Sequence, residues 1–173
     1  MTQSDIVISS SDSERLQSKA ANGIRRLGVS PGARVLFCVE SSANLLFAIG
    51  GALRSGVVPV VVNPQLLISE RTPIVENSES VAIIDSPQKL AELFSGGTDE
   101  ISMFPLTRPM LYTSGTSGTP KGVVSPILDE ADAKKLWSEE IEQWSFCAKD
   151  VHLVCSPLYH SAPIRLSLST LLA

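Results

Sequence analysis

The sequence predicts an α/β fold, a doubly wound, mostly parallel sheet flanked by helices. Three observations carry that expectation. Apolar runs recur at ARVLFCVE (33–40), VVPVVVN (57–63) and SVAIID (80–85). Helix-period segments lie between or around them, the alternation that builds parallel sheets. The 173 residues are also 43% apolar and 18% charged, with a mean hydropathy of +0.18. That composition suits strands buried on both faces. It equally suits part of a larger domain whose exposed apolar face packs against more protein.

The elements follow in order. Residues 11–27 open with Ser11 and, three residues later, Glu14, a capping-box pattern. Leu16, Ala20, Ile24 and Leu27 then share one helical face. Ser30-Pro31-Gly32 makes a turn into the strand at 33–40. Asn44–Ser55 reads as a helix with Gly56 as its stop signal. Gly50 and Gly51 inside it weaken the helix, so a close neighbour is expected there. In 57–63, Pro59 marks an irregular start or a sheet edge.

A mixed segment with Pro64 and Pro73 leads to the strand at 80–85. A short helix at 87–94 and a loop at 95–100 follow. RPMLYTS (108–114) is the next strand and KGVVSP (121–126) a further extended run. Asp129–Phe146 is a charged amphipathic helix carrying Leu136, Trp137, Ile141 and Trp144. HLVCSP (152–157) reads as a strand, and 162–173 as a helix without a capping residue at its end. The tryptophans need no ligand: an apolar stripe at helical spacing is a core or interface face.

A net charge of -4 and the absence of any basic run argue against nucleic acid as partner. MTQSDIVISSSDSERL has no signal-peptide pattern, and no apolar window is long enough to span a membrane. A cytoplasmic protein is expected, with Cys38, Cys147 and Cys155 as reduced thiols. Cys147, His152, Cys155 and His160 are spaced loosely like metal ligands. In a strand over 151–156, however, His152 and Cys155 fall on opposite faces, so no metal site is expected.

The chemistry concentrates in LYTSGTSGTPKGVV, residues 111–124. Glycines let backbone N–H groups approach an anion, and successive N–H groups in tight turns form a nest for it. Thr113, Ser114, Thr116, Ser117 and Thr119 add hydroxyl donors, Lys121 adds a point charge, and Pro120 stiffens the exit. Such a donor set suits an oligophosphate. The pattern G-x-x-x-x-G-K-[ST] fails, because Pro120 replaces its second glycine and Gly122 its hydroxyl. Taken by composition alone, the stretch is a Ser/Gly-rich hairpin loop.

As an ordered string, TSGTSGTPKG (113–122) closely resembles the phosphate-loop signature of the adenylate-forming superfamily, which contains acyl-CoA synthetases, luciferases and peptide-synthetase adenylation domains. LGVSPGARVLFCVESSANLLFAIGGALRSGVVPVVVNP (27–64) is similar to the first βαβ unit of that family. CSPLYHSAP (155–163) is similar to its segment bordering the carboxylate pocket. The resemblance covers roughly 23 to 173. It implies that a carboxylate attacks the α-phosphate of ATP, giving an acyl-adenylate and pyrophosphate, and that a thiol, usually of CoA, then displaces AMP.

By position, Thr113, Ser114, Gly115, Thr116, Ser117, Gly118, Thr119 and Lys121 inherit the hold on the β- and γ-phosphates. Lys121 is the catalytic cation that stabilises the leaving pyrophosphate. Tyr159 and His160 inherit contact with the acid, His160 orienting its carboxylate; without the resemblance, His160 is an ordinary turn or buried imidazole. Mg2+ is implied with ligands outside this chain, as are the adenine, ribose and mobile-domain groups.

The chain is therefore expected to be a partial N-terminal domain, 1–173, of an acyl-CoA synthetase, inactive by itself, with a medium- or long-chain fatty acid slightly preferred over an aromatic one. An adenylation domain loading a carrier protein is the second expectation. The third is a noncatalytic binding module, with a homodimer through exposed apolar surface left open.

Overall fold

The computed structural model describes residues 7–113 and 121–173, without the side chains of Thr113 and Lys121. The loop residues Ser114, Gly115, Thr116, Ser117, Gly118 and Thr119 lie outside the described residues. The described chain runs α1 (Ser10–Arg26), β1 (Arg34–Phe37), α2 (Ala43–Arg54), β2 (Val58–Val61), α3 (Ile68–Ser78) and β3 (Ala82–Ile84). After these come α4 (Pro87–Glu92), β4 (Leu111–Thr113), β5 (Lys121–Val123), α5 (Glu130–Gln143) and α6 (Ser161–Leu172).

β1 pairs in parallel with β2 on one side and β3 on the other. Strict alternation along β1 feeds two cores. Val35 and Phe37 face Ala20, Ile24, Leu45, Ile49 and Leu53 of α1 and α2. Leu36 and Cys38 face Val58, Val60, Ile74 and Met110 on the α3 side. Helices on both faces of a parallel sheet make the doubly wound arrangement that the apolar runs predict.

Pro59 marks an edge of the paired strands, as its missing N–H requires. Beyond it the chain adds a single parallel bridge, Val60 to Met110, with the Met110 amide donating to the Pro59 carbonyl at 2.9 Å. β4 continues from Met110 and then turns back through β5, which pairs antiparallel with it, Tyr112 opposite Gly122. The two runs flanking the Gly-rich loop are thus the arms of one hairpin.

Some expectations change. The N-cap of α1 is Ser9, which accepts from the Asp12 amide at 3.1 Å, not Ser11. Glu14 instead takes the guanidinium of Arg54 with two contacts of 2.6 Å. The buried face of α1 includes Gln17 in place of Leu27, because Gln17 packs over Gly50 while Leu27 is 48% exposed. The segment with Pro64 and Pro73 contains the helix α3, with Pro73 inside it.

Residues 152–157 do not form a strand, and Val151 and Leu153 are 98% and 78% exposed. The pleat argument against a metal therefore lapses; among the described residues no group of three His, Cys, Asp or Glu converges. Trp137 is buried and donates to the Pro105 carbonyl at 3.2 Å, while Trp144 is 52% exposed beneath the Arg165 guanidinium. Among the described residues no helix is long and apolar enough to cross a membrane.

Candidate functional site

All the parallel strands point their carboxyl ends at one edge of the sheet. In open α/β sheets that edge is where ligands bind, because the chain there leaves the sheet in loops and helix N-termini. β1 runs out to Glu40 and the Ser42 cap of α2, and β2 runs out to Asn63 and Gln65. The Val60–Met110 bridge is parallel, so β4 has the same direction and delivers Thr113 to that edge. Its register with Lys121 makes those two residues opposite neighbours at the mouth of the loop.

A cleft of about 590 Å³ opens between the ends of β1 and β2 and the segment 154–159. One wall is polar. Gln65 donates to Glu40 Oε1 at 2.5 Å through Nε2, and its amide donates to Asn63 Oδ1 at 2.9 Å. The lining also has apolar side chains, Leu46 on α2 and Val154, Leu158 and Tyr159 on the 154–159 wall. The Leu158 amide donates to Ser41 Oγ at 2.9 Å, which fastens this wall to the loop after β1.

Tyr159 thus lies in a cleft at the ligand-binding edge. His160 stands beside it, ring centroids 4.6 Å apart, as the N-cap residue of α6 and outside the cleft lining. Of the loop, the backbones of Thr113 and Lys121 are held in the hairpin, and the residues between them lie outside the described residues. Reading the sequence alone overlooked Glu40, Asn63 and Gln65. Their signal was position: polar residues directly after buried parallel strands.

Tyr112, one residue before the loop, was overlooked as well. Its hydroxyl donates to Asn77 Oδ1 at 2.9 Å and approaches the Ile74 carbonyl at 3.3 Å, tying β4 to the last turn of α3. Burial pushes the Tyr112 hydroxyl above its ordinary value of 10, against a smaller opposing pull from Arg34. It therefore stays a donor at neutral pH. Arg34 fixes the same turn of α3 by donating to the Ser78 carbonyl at 2.9 Å and to Glu79 at 3.1 Å.

Known proteins resemble this chain in both sequence and fold. A CoA ligase of Gibberella moniliformis is 29% identical over 157 residues, covering 75% of this chain and 26% of the relative. An L-proline–[L-prolyl-carrier protein] ligase of Pseudomonas fluorescens is 29% identical over 125 residues, covering 56% and 25%. The chain thus spans about a quarter of the length of these relatives.

The fold matches o-succinylbenzoate CoA synthetase (MenE) of Bacillus subtilis, solved with its acyl-adenylate intermediate, at a TM-score of 0.76 and 20% identity. That match covers 98% of this chain and 48% of the synthetase. The same synthetase has also been solved with ATP and a magnesium ion; there the match has a TM-score of 0.71 and 20% identity and covers 95% and 50%. The sequence profile of the family described as AMP-binding enzyme matches residues 4–103. That match ends before Thr113, so it stands on the βα units and not on the Gly-rich loop. The chain belongs to the AMP-binding enzyme family.

Proposed function

We propose that residues 1–173 form part of the ATP- and acid-binding domain of an acid–thiol ligase. In this reading the loop from Thr113 to Lys121 grips the β- and γ-phosphates of ATP, and the acid enters beside Tyr159 and His160. The observation that carries the reading is the parallel bridge from Val60 to Met110. It brings the hairpin that holds the loop to the same sheet edge as the Tyr159 cleft, where an α-phosphate and a carboxylate can meet.

The donor set fits an oligophosphate. Five hydroxyls and one cation line the loop sequence, with no carboxylate among them. The pairing of Thr113 with Lys121 closes its two ends against each other. Donors preset around a leaving group lower a barrier because they need no reorganisation as charge develops. Lys121 would stabilise the pyrophosphate as it leaves. Bound magnesium would add charge neutralisation on the phosphates, and no described residue is assigned to hold it.

The acid is proposed to be small or of medium length. An acyl body of that size meets both apolar lining, Leu46, Val154, Leu158 and Tyr159, and polar lining, Glu40, Asn63 and Gln65. A long alkyl chain would strip water from the polar atoms that Glu40, Asn63 and Gln65 do not pair with one another, at a desolvation cost of roughly 1–3 kcal/mol per group. CoA is the proposed acceptor. A carrier-protein thiol is the second reading, favoured by equal identity to the prolyl-carrier ligase.

The test is acid-dependent ATP–pyrophosphate exchange by the intact polypeptide that contains this chain, with and without Lys121→Ala. Loss of one transition-state donor of this kind costs on the order of 10²-fold in rate. Exchange that is unchanged by Lys121→Ala would remove the lysine from the site and the phosphate reading with it.

A further inference from the structure

The hairpin that carries the loop is crossed by one side chain. Tyr112 lies opposite Gly122 in the β4–β5 register. A Cβ placed on Gly122 would sit 3.1 Å from Tyr112 Cζ and 3.2 Å from its hydroxyl oxygen, and would run into Met110 Cε. The phenol ring therefore covers Gly122, the residue directly after Lys121. Its hydroxyl reaches past the hairpin to Asn77. One aromatic side chain touches the strand leading into the loop, the strand leading out, and a helix on the face of the sheet.

The helix end it reaches is well anchored. Ser78 is fully buried, and its hydroxyl donates to the Val75 carbonyl at 2.8 Å. The Ser78 carbonyl accepts from Arg34 at the start of β1, and Glu79 closes the helix in the left-handed region at φ 50. Asn77 is thus a fixed post, held to the central strand of the sheet. A loop with several glycines has many conformations to lose before its N–H groups converge on a phosphate. Fixing the spacing and direction of its two ends removes part of that cost before the ligand arrives.

We propose that Tyr112 and Asn77 are a positioning pair for the phosphate loop. They set the geometry of β4 and β5 at the points where the loop leaves and returns. The pair touches no phosphate itself and acts through Thr113 and Lys121. This inference rests on the phosphate reading given above. It adds two residues, one of them on α3, 36 positions before the loop in the sequence.

The test uses the intact polypeptide that contains this chain, with Tyr112→Phe, Asn77→Ala and the two combined. Tyr112→Phe keeps the ring over Gly122 and removes only the hydroxyl. Binding of magnesium–ATP is followed by phosphorus NMR, which registers weak affinities. Amide hydrogen exchange in the free protein reports on residues 111–123. One lost hydrogen bond corresponds to about a three- to tenfold change. Each single variant is expected to weaken ATP by that factor and to speed exchange in β4 and β5 by a similar one. Exchange in β1 and the melting temperature should stay as in the unmodified chain.

The combined variant is expected to be no worse than Tyr112→Phe alone, because removing the hydroxyl already removes its bond to Asn77 together with its approach to the Ile74 carbonyl. Losses that add in the combined variant overturn the pairing. Unmodified binding and hairpin exchange in Tyr112→Phe overturn the positioning role alone. An unmodified intact polypeptide that binds no magnesium–ATP overturns the phosphate reading and this inference with it.

Discussion

Gly51 shows how one residue sets the distance between two helices. A Cβ on it would fall on the main-chain carbonyl of Gln17, and one on Gly50 would lie 2.6 Å from Gln17 Oε1. α1 and α2 therefore approach to backbone contact along this seam. The glycine pair was legible in the sequence as a local loss of helix propensity that had to be compensated by a close neighbour. Gln17 as that neighbour was not legible, since a polar residue on a helix face ordinarily points to water. Here it is buried because Ser13 and Arg54 satisfy its amide. Gly51→Ala should gain up to about 1 kcal/mol in helix propensity and lose roughly 1–3 in overpacking. The expected net effect is destabilisation, read as a lower urea midpoint. Gly97→Ala is the control, as nothing stands within 4 Å of its Cβ position. Equal midpoints for the two variants would contradict the close approach.

Between elements, α1 is tied to the segment before β4 through Asp99. Arg25 donates to it at 2.6 and 3.1 Å and Asn22 at 2.9 Å. The Arg25 guanidinium, then the Asn22 amide, hold the Asp99 carboxyl below the usual carboxylate range. A depressed folded-state pKa means that the ionised form is favoured by folding. Its contribution is complete above the unfolded value, about 3.9, and is lost as pH falls through the lower folded value. The stability gap between the unmodified chain and Asp99→Asn should therefore hold from pH 7 to about pH 5 and narrow below about pH 4. Denaturant midpoints measured across that range check it, and a gap that persists into strong acid would rule out ionised Asp99 as its source. Elements with strong local pattern were legible at this scale: the three parallel strands, α1, α2 and α5. α3 was not, because Pro73 argues against a helix and few of its residues are apolar and buried. It forms because the sheet needs cover for Leu36, Val58 and Val60, and Ile74 supplies part of it. The expected strand at 152–157 failed for the opposite reason. Its alternation is good, but no described strand lies beside it to pair with.

The whole molecule joins a well-buried three-layer core to stretches of apolar surface that the described residues leave uncovered. The reading of the composition as strands buried on both faces holds for the three-stranded sheet. Motif order singled out Tyr159, which lines the cleft, whereas the polar wall at Glu40 and Gln65 exists only once β1 and β2 lie side by side. Val123, Val124, Val151, Leu153 and Val154 all stand between 42% and 98% exposed, at the end of β5, just after it, and on the segment leading to Tyr159. Side chains that touch little should carry little stability, within about 0.5 kcal/mol for surface positions. Val151→Lys with Leu153→Lys should accordingly leave the melting temperature nearly unchanged. The same pair should reduce any concentration-dependent association of the isolated chain, because association would bury those residues. Sedimentation velocity together with thermal melts separates the two effects. A large drop in melting temperature would mean that 151–154 packs as a strand within the monomer, as its alternation suggests, and that the apolar surface is smaller than the structure has it. Unchanged melting with weaker association would mark this segment as a surface that association between chains covers.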